Sequence, residues 1–130
     1  MGKINILVCD DHEILRKGIV QLLNLQRDFE VIGEATNGLE AVDLTEELKP
    51  DIVLMDIQMP NCDGLEAVKK IRDNNGNVKI IMLTVSDEES DLFTSIKYGA
   101  NGYLLKNMNL DELFSHINAV LEGEAFFRRG

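Results

Sequence analysis

Short apolar runs alternate along the chain with stretches whose apolar residues recur every three or four positions. Residues 4–9 form the first such run and predict a buried strand. Ile14, Leu15, Gly18, Ile19, Leu22 and Leu23 then follow helical spacing. Residues 29–35 predict a second strand. Asn37 can cap a helix running toward Leu48, with Glu40 at its third position. Pro50 ends that helix, because the residue before a proline is pushed out of the α region. Residues 52–55 are a very apolar third strand. After a loop holding Pro60 and Gly64, a helix reaches about Asp73 and stops at Asn74-Asn75-Gly76. Residues 78–83 predict the fourth strand. Ser86 can cap the next helix, with Glu89 closing a capping box, and Gly99 stops it. Residues 102–105 predict a fifth strand, and Asn109 caps a last helix that Gly123 ends.

Strands apolar on both faces, each followed by an amphipathic helix, predict an α/β fold. Its parallel sheet is covered by helices on both sides, with right-handed crossovers. The 130 residues fit one domain, placed at 1–123, with 124–130 read as the start of a linker. The formal net charge of −10 argues against direct contact with nucleic-acid phosphates and suits a site that gathers a divalent cation. Cys9 lies in an apolar run and reads as a buried thiol; Cys62 lies in a loop and reads as an incidental surface thiol. Neither disulfide nor zinc spacing is present, which points to a reducing cytoplasm. No apolar run approaches the ~18 residues of a membrane span, and Met1-Gly2-Lys3 leads straight into a strand-like run rather than a signal peptide. No membrane partner is expected. His116 reads as an exposed residue of the last helix and His12 as a loop-to-helix residue near the candidate site; neither is given a catalytic role.

In a doubly wound sheet, sites form at the carboxyl ends of the strands. Asp10 and Asp11 follow the first strand, Asp56 the third, Thr84 the fourth and Lys106 the fifth. Each alone is ordinary. Asp favours turns and helix caps, and a lone lysine is usually a surface residue. All five at the same kind of position are a different matter. Three carboxylates at one sheet edge repel one another unless a cation joins them. Oxygen-only ligands suit Mg²⁺. A carboxylate can also attack phosphorus and form an aspartyl phosphate. Mg²⁺ and Lys106 would then supply the positive charge that phosphoryl transfer needs, and Thr84 a hydrogen bond to a phosphoryl oxygen.

Four stretches resemble the receiver domains of response regulators: Val8-Cys9-Asp10-Asp11-His12, Asp51 through Pro60, Leu83-Thr84, and Gly102-Tyr103-Leu104-Leu105-Lys106. The resemblance covers nearly the whole chain up to Gly123. It implies a flavodoxin-like (βα)5 fold, as in chemotaxis-type receivers, with a five-stranded sheet in the order 2-1-3-4-5. It implies Asp56 as phosphoacceptor. Asp11, Asp56 and the Gln58 backbone carbonyl would be Mg²⁺ ligands, with Asp10 helping through water or from behind the direct ligands. Thr84 and Tyr103 look like the switch pair and Lys106 like the phosphate partner. Asp11-His12-Glu13 leading into Leu15-Arg16-Lys17-Gly18, and Asn107 after Lys106, are similar to the subfamily that carries a C-terminal LuxR/NarL-type helix-turn-helix domain. Other subfamilies place a cis proline at position 107. Here the Lys106–Asn107 peptide is left open, although a cis bond before a non-proline residue costs ~2.5–4 kcal/mol. Val85 is larger than the residue often found after the switch threonine and is expected, with Gln58, to modulate access to the phosphoryl group.

The implied function is two-component signalling rather than metabolic catalysis. A sensor histidine kinase donates the phosphoryl group, Thr84 moves toward it, and Tyr103 turns inward into the vacated space. Output follows through phosphorylation-dependent homodimerisation or release of an attached domain, and DNA is met only through a C-terminal domain absent from this chain. A stand-alone receiver acting by protein–protein interaction is the alternative. A haloacid-dehalogenase-type phosphatase needs a second Asp where Gln58 stands. A flavodoxin-type module needs a first loop that cradles phosphate, and Asp10, Asp11 and Glu13 would repel it. A degenerate receiver that signals without phosphate is disfavoured, because every acidic position is filled.

Overall fold

A computed structural model describes residues 2–123 and the backbone of residues 126 and 127. The elements run β1 (Ile4–Cys9), α1 (Glu13–Asn24), β2 (Phe29–Ala35), α2 (Gly38–Leu48), β3 (Ile52–Met55), α3 (Gly64–Asn74), β4 (Lys79–Thr84), α4 (Glu89–Tyr98), β5 (Gly102–Leu105), α5 (Leu110–Leu121) and β6 (Phe126–Phe127). All strand pairs are parallel, in the order β2-β1-β3-β4-β5-β6. The first five strands therefore take the expected order. β6 is an addition: a two-residue strand on the β5 edge, with Gly102 opposite Phe126 and Tyr103 opposite Phe127. Two residues are too few for period-two patterning to announce them. The rest of the expected linker, 124–125 and 128–130, lies outside the described residues.

Side-chain alternation sorts the strands onto two cores. Leu7, Cys9, Val53, Met55, Ile80, Met82 and Tyr103 pack with residues of α2, α3 and α4, such as Ala41, Val68 and Leu92. Ile6, Val8, Ile52, Leu54, Ile81, Leu83 and Leu104 pack with Leu23 of α1 and Leu113, Ile117 and Val120 of α5. With both faces covered, the acids and the lysine leave from strand ends.

Local signals set most helix boundaries. Asn37, Asp63 and Asn109 each accept a hydrogen bond from the third N–H of their helix, at 2.8, 2.9 and 2.9 Å. Glu40 reaches back to the N–H of Thr36 at 2.7 Å. Lys49, before Pro50, is left-handed with φ 50°. The expected Ser86 cap is not formed. α4 starts at Glu89 without a side-chain cap; Ser86 Oγ accepts only a long 3.4 Å bond from Glu88 N–H in the preceding loop, while its hydroxyl donates to Asp91, its N–H to Thr84 Oγ1, and its carbonyl accepts from Tyr103.

Two further expectations are corrected. His116 is buried, on the α5 face that carries Leu113, Ile117 and Val120, with Nδ1 2.8 Å from the Glu112 carbonyl oxygen. Cys62 is buried too. Its carbonyl accepts from Gly38 N–H at 2.8 Å, and its thiol donates to the Asp63 carbonyl at 3.7 Å. Packing of the α2 start against this loop closes over the thiol.

At the opposite end of the sheet from the strand termini, Arg72 gathers the chain. Its guanidinium donates to the carbonyls of Gly99 at 2.9 Å, Val78 at 2.6 Å and Asn75 at 3.3 Å, and to Asn101 Oδ1 at 2.7 Å. Two of these carbonyls close the C-termini of α3 and α4, where the helix dipole favours a cation.

Candidate functional site

Sheet register brings the acids together. Cys9 lies opposite Met55, so Asp10 and Asp56 leave adjacent strands at the same level. Asp56 N–H donates to the Cys9 carbonyl at 2.9 Å, and Lys106 N–H to the Thr84 carbonyl at 2.8 Å, which ties the four strand ends together in pairs. Gly64 completes the frame. Its N–H donates to Ile57 O at 2.7 Å, and a Cβ there would lie 1.9 Å from the Asp56 carbonyl oxygen. Only glycine lets α3 approach the Asp56 main chain this closely.

Lys106 lies between the two buried acids. Its ammonium is 2.7 Å from Asp10 Oδ2 and 3.1 Å from Asp56 Oδ2, and the three side chains are only 6%, 4% and 3% exposed. Burial pushes both carboxyls up. For Asp10 the Lys106 hydrogen bond, the His12 N–H and the Lys106 charge outweigh burial and hold the carboxyl below its ordinary range. For Asp56 burial wins, helped by the Asp10 charge, and its carboxyl is raised. The two acids thus share one cation unequally. Asp56 Oδ1 also accepts from Ile57 N–H at 2.8 Å.

Asp11 is the exposed member of the group, its side chain 34% exposed. His12 Nδ1 lies 3.1 Å from Asp10, 3.3 Å from Asp11 and 4.0 Å from Asp56. One ligand atom from each of Asp10, Asp11, His12 and Asp56 falls within 4.8 Å of the others. The donor set is three carboxylates and one imidazole. Its predominance of hard oxygen donors fits Mg²⁺. The sequence reads His12 as a loop-to-helix residue near the site without a ligand role; its imidazole joins the acid group directly, and its place right after the acid pair was the available signal.

Thr84 is fully buried and its hydroxyl accepts from Ser86 N–H at 3.2 Å. Tyr103 is 1% exposed, and its hydroxyl donates to the Ser86 carbonyl at 2.7 Å. In this conformation the ring is inside. Burial raises the Tyr103 pKa. Val85 is 66% exposed and Gln58 is exposed, both on loops that follow the strands carrying the buried groups. No peptide among the described residues is cis, so Lys106–Asn107 is trans. Among the described residues, no helix is long and apolar enough to cross a membrane.

Residues 6–118 match the family described as the response regulator receiver domain. The chain is 41% identical over 119 residues to the nitrate/nitrite response regulator protein NarL of Escherichia coli K12, covering 92% of this chain and 55% of that protein. It is 44% identical over 126 residues to the uncharacterized transcriptional regulatory protein YxjL of Bacillus subtilis, covering 97% and 58%. The chain thus spans about half the length of the curated relatives it matches. The solved structure of a LuxR-family two-component response regulator from Aurantimonas sp. SI85-9A1 superposes with a TM-score of 0.91 at 33% identity, covering 96% of this chain and 89% of that one. With its strand order, its acid-and-lysine cluster and this match, the chain belongs to the response regulator receiver domain family.

Proposed function

We propose that this receiver accepts a phosphoryl group on Asp56 from a phosphohistidine of a sensor histidine kinase. The observation that supports it best is Lys106, buried between Asp10 and Asp56 at 2.7 and 3.1 Å. A lysine held there can follow the charge as it moves from carboxylate to phosphoryl oxygens.

In the transfer, an Asp56 carboxylate oxygen forms the O–P bond while the N–P bond of the phosphohistidine breaks. The imidazole leaves with that electron pair. Asp11, Asp56 and the Gln58 backbone carbonyl would hold Mg²⁺, with Asp10 acting through water. When bound, Mg²⁺ supplies positive charge to the phosphoryl oxygens. That charge would offset the burial and the Asp10 charge that raise the Asp56 carboxyl, and Lys106 can transfer its hydrogen bond from Asp56 to the new phosphoryl group. Thr84, one strand over, donates its hydroxyl to that group. Moving Thr84 alters the Ser86 loop that Tyr103 holds, which links the chemistry to the face formed by α4, β5 and α5. Val85 and Gln58 modulate access of water, and thereby the slow loss of the phosphoryl group.

The greater length of the relatives, one of them named a transcriptional regulatory protein, supports output through a C-terminal helix-turn-helix domain; cytoplasmic action as a phosphorylation-dependent dimer belongs to the same reading. The test is mass spectrometry after acetyl phosphate and Mg²⁺. Wild type should gain one phosphoryl group and Asp56→Asn none. Labelling of Asp56→Asn equal to wild type would place the acceptor elsewhere.

A further inference from the structure

The first turn of α1 buries a charged residue, Arg16, beside exposed apolar ones. Ile14 is 91% and Leu15 41% exposed, while Arg16 and Leu23 are the helix's buried residues. Hydrophobic burial cannot account for this choice. The guanidinium is placed by its partners instead. Nη1 donates to the Asp10 carbonyl oxygen at 2.9 Å, and Nε donates to Glu34 Oε1 at 2.9 Å. Glu34 Oε2 accepts from Lys17 Nζ at 3.1 Å. Glu34 lies on β2, paired with Val8 of β1, so the fork bridges the helix to the sheet beside the acid pair.

The held carbonyl belongs to the peptide that joins Asp10 to Asp11. The Asp10 N–H is fixed as well, donating to the Ala35 carbonyl at 2.9 Å. The main chain entering Asp11 is thus anchored from two elements, α1 and β2. Asp11 is the exposed acid, with His12 Nδ1 3.3 Å from its carboxylate. Its placement depends on the peptide plane behind it.

We propose that Arg16 is a positioning residue for cation binding: it orients the Asp10–Asp11 peptide so that both carboxylates converge with Asp56. Arg16 touches neither cation nor phosphoryl group. The inference rests on the functional reading above. Groups that orient ligands from behind typically shift metal affinity by about 10–100-fold when removed.

The test is calorimetric Mg²⁺ binding to the full chain, paired with phosphorylation by acetyl phosphate across Mg²⁺ concentrations. Arg16→Met should bind Mg²⁺ about 10-fold more weakly, while its phosphorylation rate recovers at saturating Mg²⁺. Arg16→Lys keeps the charge but lacks the fork, and should fall between Arg16→Met and wild type. Wild-type affinity in Arg16→Met overturns the inference, as does a lowered rate at saturating Mg²⁺ with unchanged affinity. If Arg16→Met does not fold, Arg16→Lys decides alone: unchanged Mg²⁺ affinity refutes the role and weakened affinity supports it. A wild-type chain that binds no Mg²⁺ sinks this inference together with the functional reading. An Arg16 variant that matches a Mg²⁺-binding, phosphorylatable wild type sinks this inference only.

Discussion

The hydroxyl of Tyr103 donates a 2.7 Å hydrogen bond to the backbone carbonyl of Ser86, joining β5 to the loop that follows β4. The ring itself is held by the core that includes Met82 and Leu92. Tyr103→Phe keeps that packing and removes only the hydroxyl. The expected cost is about 1 kcal/mol in urea unfolding, with faster amide exchange in residues 85–88. Wild-type values for both would show that the bond does not hold the loop.

Asp56 sets a pH dependence of unusual sign. Burial raises its folded-state pKa, so the native chain holds this proton more tightly than the unfolded one. Stability from this group is present below its unfolded pKa and is lost as pH rises through the folded pKa. Asp10 is lowered and does the opposite, contributing at neutral pH and losing its contribution in acid. Asp56→Asn should therefore unfold at higher urea than wild type at pH 7, and the gap should narrow as the pH falls. With Mg²⁺ at about ten times its dissociation constant, wild type gains about 1.4 kcal/mol and the mutant much less. An Asp56→Asn protein less stable than wild type at pH 7 without Mg²⁺ would contradict this.

Two glycines should respond in opposite directions. At Gly64 a Cβ would lie 1.9 Å from the Asp56 carbonyl oxygen and 2.9 Å from Ile57 Cα, both main-chain atoms that cannot swing aside. Gly64→Ala should cost about 3 kcal/mol and weaken phosphorylation with it. Gly18, within α1, has nothing within 4 Å of its Cβ position. Gly18→Ala should add about 0.5–1 kcal/mol. Thermal unfolding of the two variants checks both signs.

Val85 is exposed beside the buried Thr84. If its bulk screens the phosphoryl group from water, Val85→Ala shortens the half-life of the aspartyl phosphate, followed by loss of incorporated label. An unchanged half-life would remove Val85 from any role in access.

The sheet was legible because strands one, three, four and five alternate between two apolar cores and each is closed by a residue with chemistry. Asp10, Asp56 and Lys106 could be placed at one edge by counting strand ends alone. Other features depended on tertiary context. His116 looks like a surface residue until α5 is rotated onto the Leu113–Ile117 face. Ile14 and Leu15 carry helical spacing, yet they stay exposed while Arg16 goes inside, because a hydrogen-bonding fork outweighed hydrophobicity there. Ser86 fits a cap motif, but its groups pair with Thr84, Asp91 and Tyr103 and reach only Glu88 N–H, at 3.4 Å. Hydropathy carries no trace of such competition among polar partners.

Arg72 fastens chain segments far apart in sequence, from Asn75 and Val78 to Gly99 and Asn101. A knot of this kind resists being undone one strand of rope at a time. Fraying of α3 from its C-terminal end would strip the guanidinium of its acceptors and loosen the entry to β5 in the same event. The second half of the domain should then open as one cooperative block. In native-state hydrogen exchange, α3 and α4 amides would share a single opening free energy, and Arg72→Met would split it into two.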